Sequence, residues 1–290
     1  MSRLLVIRLS ALGDVIHTIP AVVGLRERHE IAWAVEAPYR ELVEIVAGVR
    51  AIPVSLKRWS PRNILDARRA VRGFEAAIDF QGLVKSALLA WGSGAGERTG
   101  FAREFIREKP AAWLMNRHVA VDPNRHVVEW NLQLAGVDKA PEVDFTKFAT
   151  NDQRPTTNIV LLPGAGRPEK QWPHFPELAK RLGESALAAW GPGEEELARA
   201  TGARLAPRTN LRELARLLCD AALVVGGDTG PLHLAAALGT PVVGLYGPTN
   251  PARNGPYGQL GNVVEAYSTT TSMASIEVDD VMRKIGEVLG

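Results

Sequence analysis

Gly226-Gly227-Asp228-Thr229-Gly230-Pro231-Leu232-His233-Leu234-Ala235-Ala236-Ala237-Leu238-Gly239-Thr240-Pro241 follows the apolar run Ala221-Ala222-Leu223-Val224-Val225 and leads into Val242-Val243-Gly244-Leu245-Tyr246. The two apolar runs read as short buried strands, and the segment between them as a glycine-bracketed turn that opens a helix of small residues. Strand, turn, helix and strand in that order make a βαβ unit of a parallel sheet. A helix start presents unpaired N–H groups and the positive end of the macrodipole, so this turn is suited to phosphate. Asp228 and Thr229 fall where an N-cap falls, and His233 lies one turn into the helix, on the same side as the turn. A capped helix with a surface histidine accounts for the same residues without any ligand.

The same alternation extends through most of the chain. Leu4–Leu9, Ile31–Val35, Ala51–Ser55 and Ala76–Phe80 read as strands, with helical patterns between and after them. Thr157–Leu162, Ala186–Trp190 and the two runs around the opening stretch form a second set, separated by helices near 175–183, 194–201 and 211–220. Strands alternating with helices predict an α/β fold of parallel sheets covered on both faces. Past Gly94 the pattern becomes irregular, because 97–101 and 103–105 are too polar and aromatic for a core run. The polar, proline-flanked stretch 141–155 reads as a linker. The expectation is a domain over 1–150, a second over 151–275, and an amphipathic helix over 276–290 that packs back on the first. Two such domains facing one another would leave a cleft outside the carboxyl ends of both sheets, where ligands of these folds bind.

Bulk composition narrows the possible partners. A chain of 290 residues with 46% hydrophobic and 23% charged residues is globular and has ample core material. A net charge of +2 gives no global basic field for nucleic acid. The single cysteine, Cys219, excludes an internal disulfide and any multi-cysteine metal site, and its apolar helical neighbours Leu214, Leu217 and Leu218 point to packing. The start of the chain is interrupted by charge too early for a signal peptide, and no apolar run approaches a membrane span. A cytoplasmic protein is expected, with attachment to a membrane surface left open.

Four further constellations carry chemistry. In Arg8-Leu9-Ser10-Ala11-Leu12-Gly13-Asp14, a strand ends and a carboxylate stands at the mouth of the first helix. Asp14 reads either as a helix cap or as a general base. In Asp79-Phe80-Gln81-Gly82-Leu83-Val84-Lys85-Ser86, Gln81, Lys85 and Ser86 offer donors to an anionic or hydroxylated ligand. Lys57, Arg58 and Arg62, followed by Arg98, Arg103, Arg107, Lys109, Arg117 and Arg125, gather basic charge in the irregular parts of the first domain. Guanidinium forks suit carboxylates and phosphates, so a polyanionic ligand is the sharper alternative to a solvated face. In Leu162-Pro163-Gly164-Ala165-Gly166-Arg167-Pro168-Glu169-Lys170, a glycine loop lets backbone approach phosphate, with Lys170 as countercharge. It is not a Walker A loop, since no G-K-[ST] closes it, and the first turn lacks the G-x-G-x-x-G of a dinucleotide oxidoreductase.

Taken in order, S-A-L-G-D at 10–14, the Arg58-Trp59 loop, D-x-Q-G-L-x-K-S at 79–86, K-x-W-P at 170–173 and D-T-G-x-x-H-L at 228–234 with Y-G-P-T at 246–249 resemble glycosyltransferase family 9 nearly end to end. These are the ADP-heptose:lipopolysaccharide heptosyltransferases, and 81–86 resembles the first heptosyltransferase of that family more than the second. The resemblance implies a GT-B fold of two Rossmann-like domains and inverting transfer of heptose from ADP-heptose to the Kdo of Kdo-lipid A. It implies a place at the cytoplasmic face of the inner membrane, no nucleic-acid partner, and no cofactor or essential metal, ADP-heptose being a substrate. By position, Asp14 matches the catalytic base, and Lys170, Asp228, Thr229, Gly230 and His233 match donor-binding residues. Glu194 matches an acid near the ribose, and Thr209 an adenine contact. Gly164-Ala165-Gly166 stands where hydroxyl-bearing residues are familiar, so Ala165 and Gly166 would offer backbone N–H groups. Lys57, Arg58, Arg62, Gln81, Lys85, Arg103 and Arg117 are the acceptor-side candidates. A second-heptosyltransferase type, another nucleotide-sugar transferase of the family, and a nucleotide-binding module without catalysis remain the alternatives.

Overall fold

The computed structural model describes residues 1–55, 61–149 and 156–290, the side chains of 61, 62 and 64 excepted. The chain divides into two compact units, Met1–Asp144 and Phe145–Gly290. The first contains β1 (Ser2–Ile7), α1 (Leu12–Leu25), β2 (His29–Val35), α2 (Arg40–Leu42), β3 (Arg50–Pro53), α3 (Pro61–Ala70), β4 (Ala76–Asp79), α4 (Val84–Gly92), β5 (Glu97–Phe101), β6 (Arg117–Val119) and α5 (Val127–Ala135). The second contains α6 (Thr146–Ala149), β7 (Ile159–Leu162), α7 (Phe175–Leu182), β8 (Ala186–Ala188), α8 (Glu195–Ala200), β9 (Arg204–Leu205), α9 (Leu211–Cys219), β10 (Leu223–Gly227), α10 (Gly230–Ala237), β11 (Val242–Tyr246), α11 (Pro251–Asn254), β12 (Val263–Glu265) and α12 (Val278–Leu289).

Each unit has one parallel sheet of six strands, ordered β3-β2-β1-β4-β5-β6 and β12-β11-β10-β7-β8-β9. Counted from the first strand of each unit, the two orders are the same. The innermost strands are buried on both faces, as parallel strands covered by helices must be: Leu5, Val6, Ile7, Val224 and Val225 have no exposed surface. In the first sheet Ile7 pairs with Ala34 on one side and Asp79 on the other. In the second, Gly226 pairs with Gly244 and Leu162.

Three expectations are corrected. The irregular stretch after Gly94 holds β5 and β6, whose exposed openings at Glu97 and Arg117 hide the strand pattern near the sheet edge. The units part at Asp144/Phe145, a few residues before the expected boundary, because α6 packs on α9 and buries Phe145 and Phe148. The terminal helix α12 lies against α7, β11 and β12, with Val278, Val281 and Ile285 in the core of the second unit. Trp172 in the same core donates from Nε1 to the Ile276 carbonyl at 2.9 Å.

Glycine at 226 is set by this packing. A Cβ there would stand 2.9 Å from Leu162 Cβ on the neighbouring strand, where neither backbone can yield. Gly226→Ala is expected to destabilise the second unit by about 1–3 kcal/mol, read as a lower urea midpoint. By contrast, a Cβ on Gly286 inside α12 meets nothing within 4 Å. Gly286→Ala should therefore raise stability by about 0.5–1 kcal/mol through helix propensity alone.

Candidate functional site

In the second unit, β7 and β10 are neighbours whose connections leave in opposite directions, a topological switch point. At the carboxyl end of β10, Asp228 forms a buried three-residue cluster. Its Oδ2 accepts from Lys170 Nζ at 2.6 Å, and its Oδ1 stands 3.0 Å from His233 Nε2. The three side chains are only 17% (Lys170), 10% (Asp228) and 5% (His233) exposed, so His233 is not a surface residue. Burial pushes the Asp228 carboxyl up, but the hydrogen bonds and charges of His233 and Lys170 outweigh it and hold the group down at about 2. An ionised carboxylate only accepts, so His233 donates from Nε2.

Lys170 arrives on the tight turn Pro168–Lys170, and Gly227 lets that turn close on the strand: a Cβ at 227 would meet the Lys170 carbonyl at 3.1 Å. Thr229 is the N-cap residue of α10 by position, yet its side chain makes no capping bond. Its Oγ1 is buried without a hydrogen-bond partner, as is Oγ1 of Thr249 after the adjacent strand β11. Thr249 closes the Y-G-P-T pattern, and only its burial without a partner marks it as a candidate. Together with the open N–H groups at the start of α10, these hydroxyls leave donors unsatisfied at the mouth of the sheet, which suits an oxyanion-rich ligand.

Glu194, after β8, folds back over the glycine loop. Its Oε2 accepts from Gly191 N at 2.9 Å, and its carboxylate lies against Gly164, where a Cβ would come within 2.2–2.4 Å of it. Ala165 and Gly166 follow in the same loop, part-buried and exposed. Thr209 stands half-buried between β9 and α9, just before Asn210, whose side chain caps α9 by accepting from Arg212 N and Glu213 N.

The first unit repeats the arrangement at β1 and β4. Asp14 is the third residue of α1; its Oδ2 accepts from Ala11 N at 3.2 Å and its Oδ1 is ion-paired with Arg8. The Arg8 guanidinium also donates to the Phe80 carbonyl beyond β4. From the other side, Gln81 Oε1 accepts from Leu9 N at 2.8 Å. Arg8 and Gln81 thus cross-tie the two loops of the switch point and leave Asp14 with 40% of its side chain exposed. Gln81 is a tether here as well as a ligand candidate, with its amide N–H groups still available. Beneath it Asp79 Oδ1 accepts from Gln81 N at 2.9 Å, and Asp79 Oδ2 lies 2.8 Å from the Ser86 hydroxyl.

The other acceptor candidates divide. Lys85 is half-buried in the first turn of α4, and Arg103 is exposed on the turn after β5, its carbonyl accepting from Lys109 Nζ at 2.8 Å. Arg117 is not gathered with them. It opens β6 and pairs with Glu97, the first residue of β5, at 2.9 Å, back toward the amino end of the sheet. Lys57 and Arg58, and the side chain of Arg62, lie outside the described residues. Arg8 and Asp79 join the site as well, and a charge closing an apolar strand is the sequence signal that marks both.

The sequence model described as glycosyltransferase family 9 (heptosyltransferase) matches residues 65–285. The chain belongs to glycosyltransferase family 9. A Salmonella typhimurium family 9 protein, lipopolysaccharide heptosyltransferase 1, is 32% identical over 320 residues, covering 98% of this chain and 99% of the relative. The structure of Escherichia coli heptosyltransferase WaaC with ADP superposes with a TM-score of 0.84 at 31% identity, covering 98% and 99% of the two chains. The same enzyme with ADP-2-deoxy-2-fluoro heptose gives 0.81 over the same spans. The fold is the GT-B fold, and the family 9 membership makes this chain an enzyme, a glycosyltransferase of the heptosyl-transferring kind. Among the described residues, no helix is long and apolar enough to cross a membrane.

Asp79 offers a test of the first switch point. Burial drives its carboxyl up to about 6, against the opposing hydrogen bonds of Gln81, Ser86 and Gly82 and the charge of Arg8. The folded chain therefore holds this proton more tightly than the unfolded chain. The stability it contributes is full below about pH 4 and is lost as pH rises through about 6, a swing of about 3 kcal/mol. In Asp79→Asn the amide oxygen keeps the backbone donors, while its nitrogen donates to Ser86, whose own proton turns to the Leu83 carbonyl at 2.8 Å. Urea denaturation between pH 4 and 8 should show a flatter pH dependence in the variant and no loss of stability at pH 8. An unchanged slope would assign the titration to another group.

Proposed function

We propose that this enzyme transfers L-glycero-D-manno-heptose from ADP-heptose to a Kdo residue of Kdo-lipid A, with inversion, in the assembly of the lipopolysaccharide inner core. The observation that carries the reading is the buried Lys170–Asp228–His233 cluster beneath the open start of α10. The full-length likeness to an enzyme solved with ADP and with an ADP-sugar analogue supports it.

The donor diphosphate lies at α10, where the helix N–H groups and the hydroxyl of Thr229 meet its oxygens. Lys170 supplies the countercharge, and Asp228 fixes both Lys170 and His233 in position. Glu194 meets the ribose, the backbone at Ala165 and Gly166 approaches the phosphates, and Thr209 lies toward the adenine. In the first unit Asp14 takes the proton of the acceptor hydroxyl as that oxygen attacks the anomeric carbon. The bond from that carbon to the diphosphate oxygen breaks, and ADP leaves with the electron pair. Charge then grows on the β-phosphate, where Lys170 and the helix start stabilise it, so the reaction as we read it draws on no metal. Arg8 positions the base by pairing with it. Lys85, Gln81 and Arg103, with Lys57, Arg58 and Arg62, meet the acidic sugars and phosphates of the acceptor at the cytoplasmic face of the inner membrane.

Asp14→Asn should lower kcat by about 10²–10⁴-fold while ADP affinity, measured by calorimetry, stays within twofold of the parent. Loss of ADP binding with turnover retained would overturn the role given to Asp14. Lys170→Ala should weaken ADP binding by about tenfold or more, the loss of one charge-assisted contact. UDP should bind far less tightly than ADP. Equal affinity for the two nucleotides would favour another sugar-nucleotide transferase of the family.

A further inference from the structure

Large apolar side chains stand exposed on one group of elements in the first unit. Trp113 is 75% exposed, Trp91 53%, Leu65 46% and Leu88 39%. Among the described residues Trp33, Trp130 and Trp172 are buried and Trp190 is half-buried, so both exposed tryptophans lie here. Leu65 and Arg68 are one turn apart on α3, and Leu88 and Trp91 one turn apart on α4, so each pair shares a helix face. The two faces adjoin, because the Arg68 guanidinium lies 5.9 Å over the Trp91 ring. The turn Lys109–Leu114, which carries Trp113, packs along α4.

We propose that this surface, formed by α3, α4 and the 109–114 turn, docks on an anionic lipid bilayer. Interfacial membrane seats combine tryptophan, whose ring settles at headgroup depth, with arginine and lysine that complement anionic headgroups. The same elements and the turn before them carry exposed Arg68, Arg69, Arg103, Arg107 and Lys109. Of the three acids among them, Asp66 is 3.8 Å from Arg69, Glu108 accepts from Val84 N at 2.8 Å and Glu104 is exposed, so basic residues stay in excess. The position also fits. α4 begins at Val84, just beyond Gln81 at the carboxyl end of β4. At about 1.5 Å per residue, Leu88 and Trp91 lie roughly 6 and 10 Å along the helix from that edge. A bilayer meeting this face holds its headgroups beside the edge that carries Asp14. The inference rests on the reading of a lipid-borne acceptor and adds to it the surface that meets the lipid.

The test uses the full chain with vesicles of phosphatidylcholine, alone or with phosphatidylglycerol. Wild-type protein should sediment with the anionic vesicles, bind neutral ones weakly and dissociate as salt rises. Brominated lipid should quench its tryptophan fluorescence. Trp91→Ala with Trp113→Ala should lower vesicle partitioning on the order of tenfold. The pair should slow transfer to acceptor held in vesicles, while ADP binding and transfer to deacylated acceptor stay unchanged. Both side chains are more than half exposed, so the fold should survive, and the quenching experiment needs no variant. Absence of quenching, or a double variant that partitions like the wild type, would overturn the proposal. So would a concentration-dependent dimer abolished by the double substitution while vesicle binding persists, because the face would then be a protein interface. Vesicle binding by a wild type that transfers no heptose to deacylated acceptor would instead remove the functional reading.

Discussion

In both sheets the two innermost strands send their chains away in opposite directions, and side chains bridge the gap this leaves at their carboxyl ends. In the first unit Arg8 reaches from β1 to the Phe80 carbonyl and Gln81 reaches back to Leu9 N. In the second, Lys170 crosses from the loop after β7 to Asp228 after β10. Both crossings are polar, and the one in the first unit pairs the Phe80 carbonyl and the Leu9 N–H, which an apolar plug would leave unpaired. The groups that hold the sheets shut are therefore also the groups with chemistry to offer.

The common topology makes one contrast informative. Asp79 closes the fourth strand of the first sheet, and Asp228 follows the fourth strand of the second. Both carboxyls are buried, but Asp79 is met by N–H and hydroxyl donors with Arg8 at a remove, whereas Asp228 is met directly by Lys170 and His233. The first is driven up to about 6 and the second held down at about 2. Burial alone acts in the same direction on both; the immediate cations decide the outcome. One position is thereby a structural anchor for a loop, and the other a fixed negative charge that orients two donors.

Much of this was legible in the sequence. The alternation of apolar runs with helical stretches carries the α/β class, and the glycine turns at 13, 82, 164–166 and 226–230 mark the strand ends where the switch points fall. What the sequence obscures has particular causes. β5 and β6 begin with charged, exposed residues near the sheet edge, so their period of two is lost. Arg117 looks like its basic neighbours until the fold sets it opposite Thr99 and its side chain pairs with Glu97, two residues earlier on β5. The apolar stripe of α12 fits any sheet equally well, and only packing assigns it to the second unit. His233 is marked in the sequence by its place in the D-T-G-x-x-H-L pattern, but its pairing with Asp228 and its burial emerge only from the packing.

Gly164 and Glu194 illustrate how tightly such a site restricts its own variation. The carboxylate occupies the volume that a side chain at 164 would need, and it is held there by Gly191 N. The two positions are in effect one choice. A chain can have the acid folded over a bare loop, or a substituted loop with the acid turned aside. A side chain at 164 would swing the end of residue 194 away from Gly191 N, so a change in the loop alters where the acid points even when the acid itself is kept.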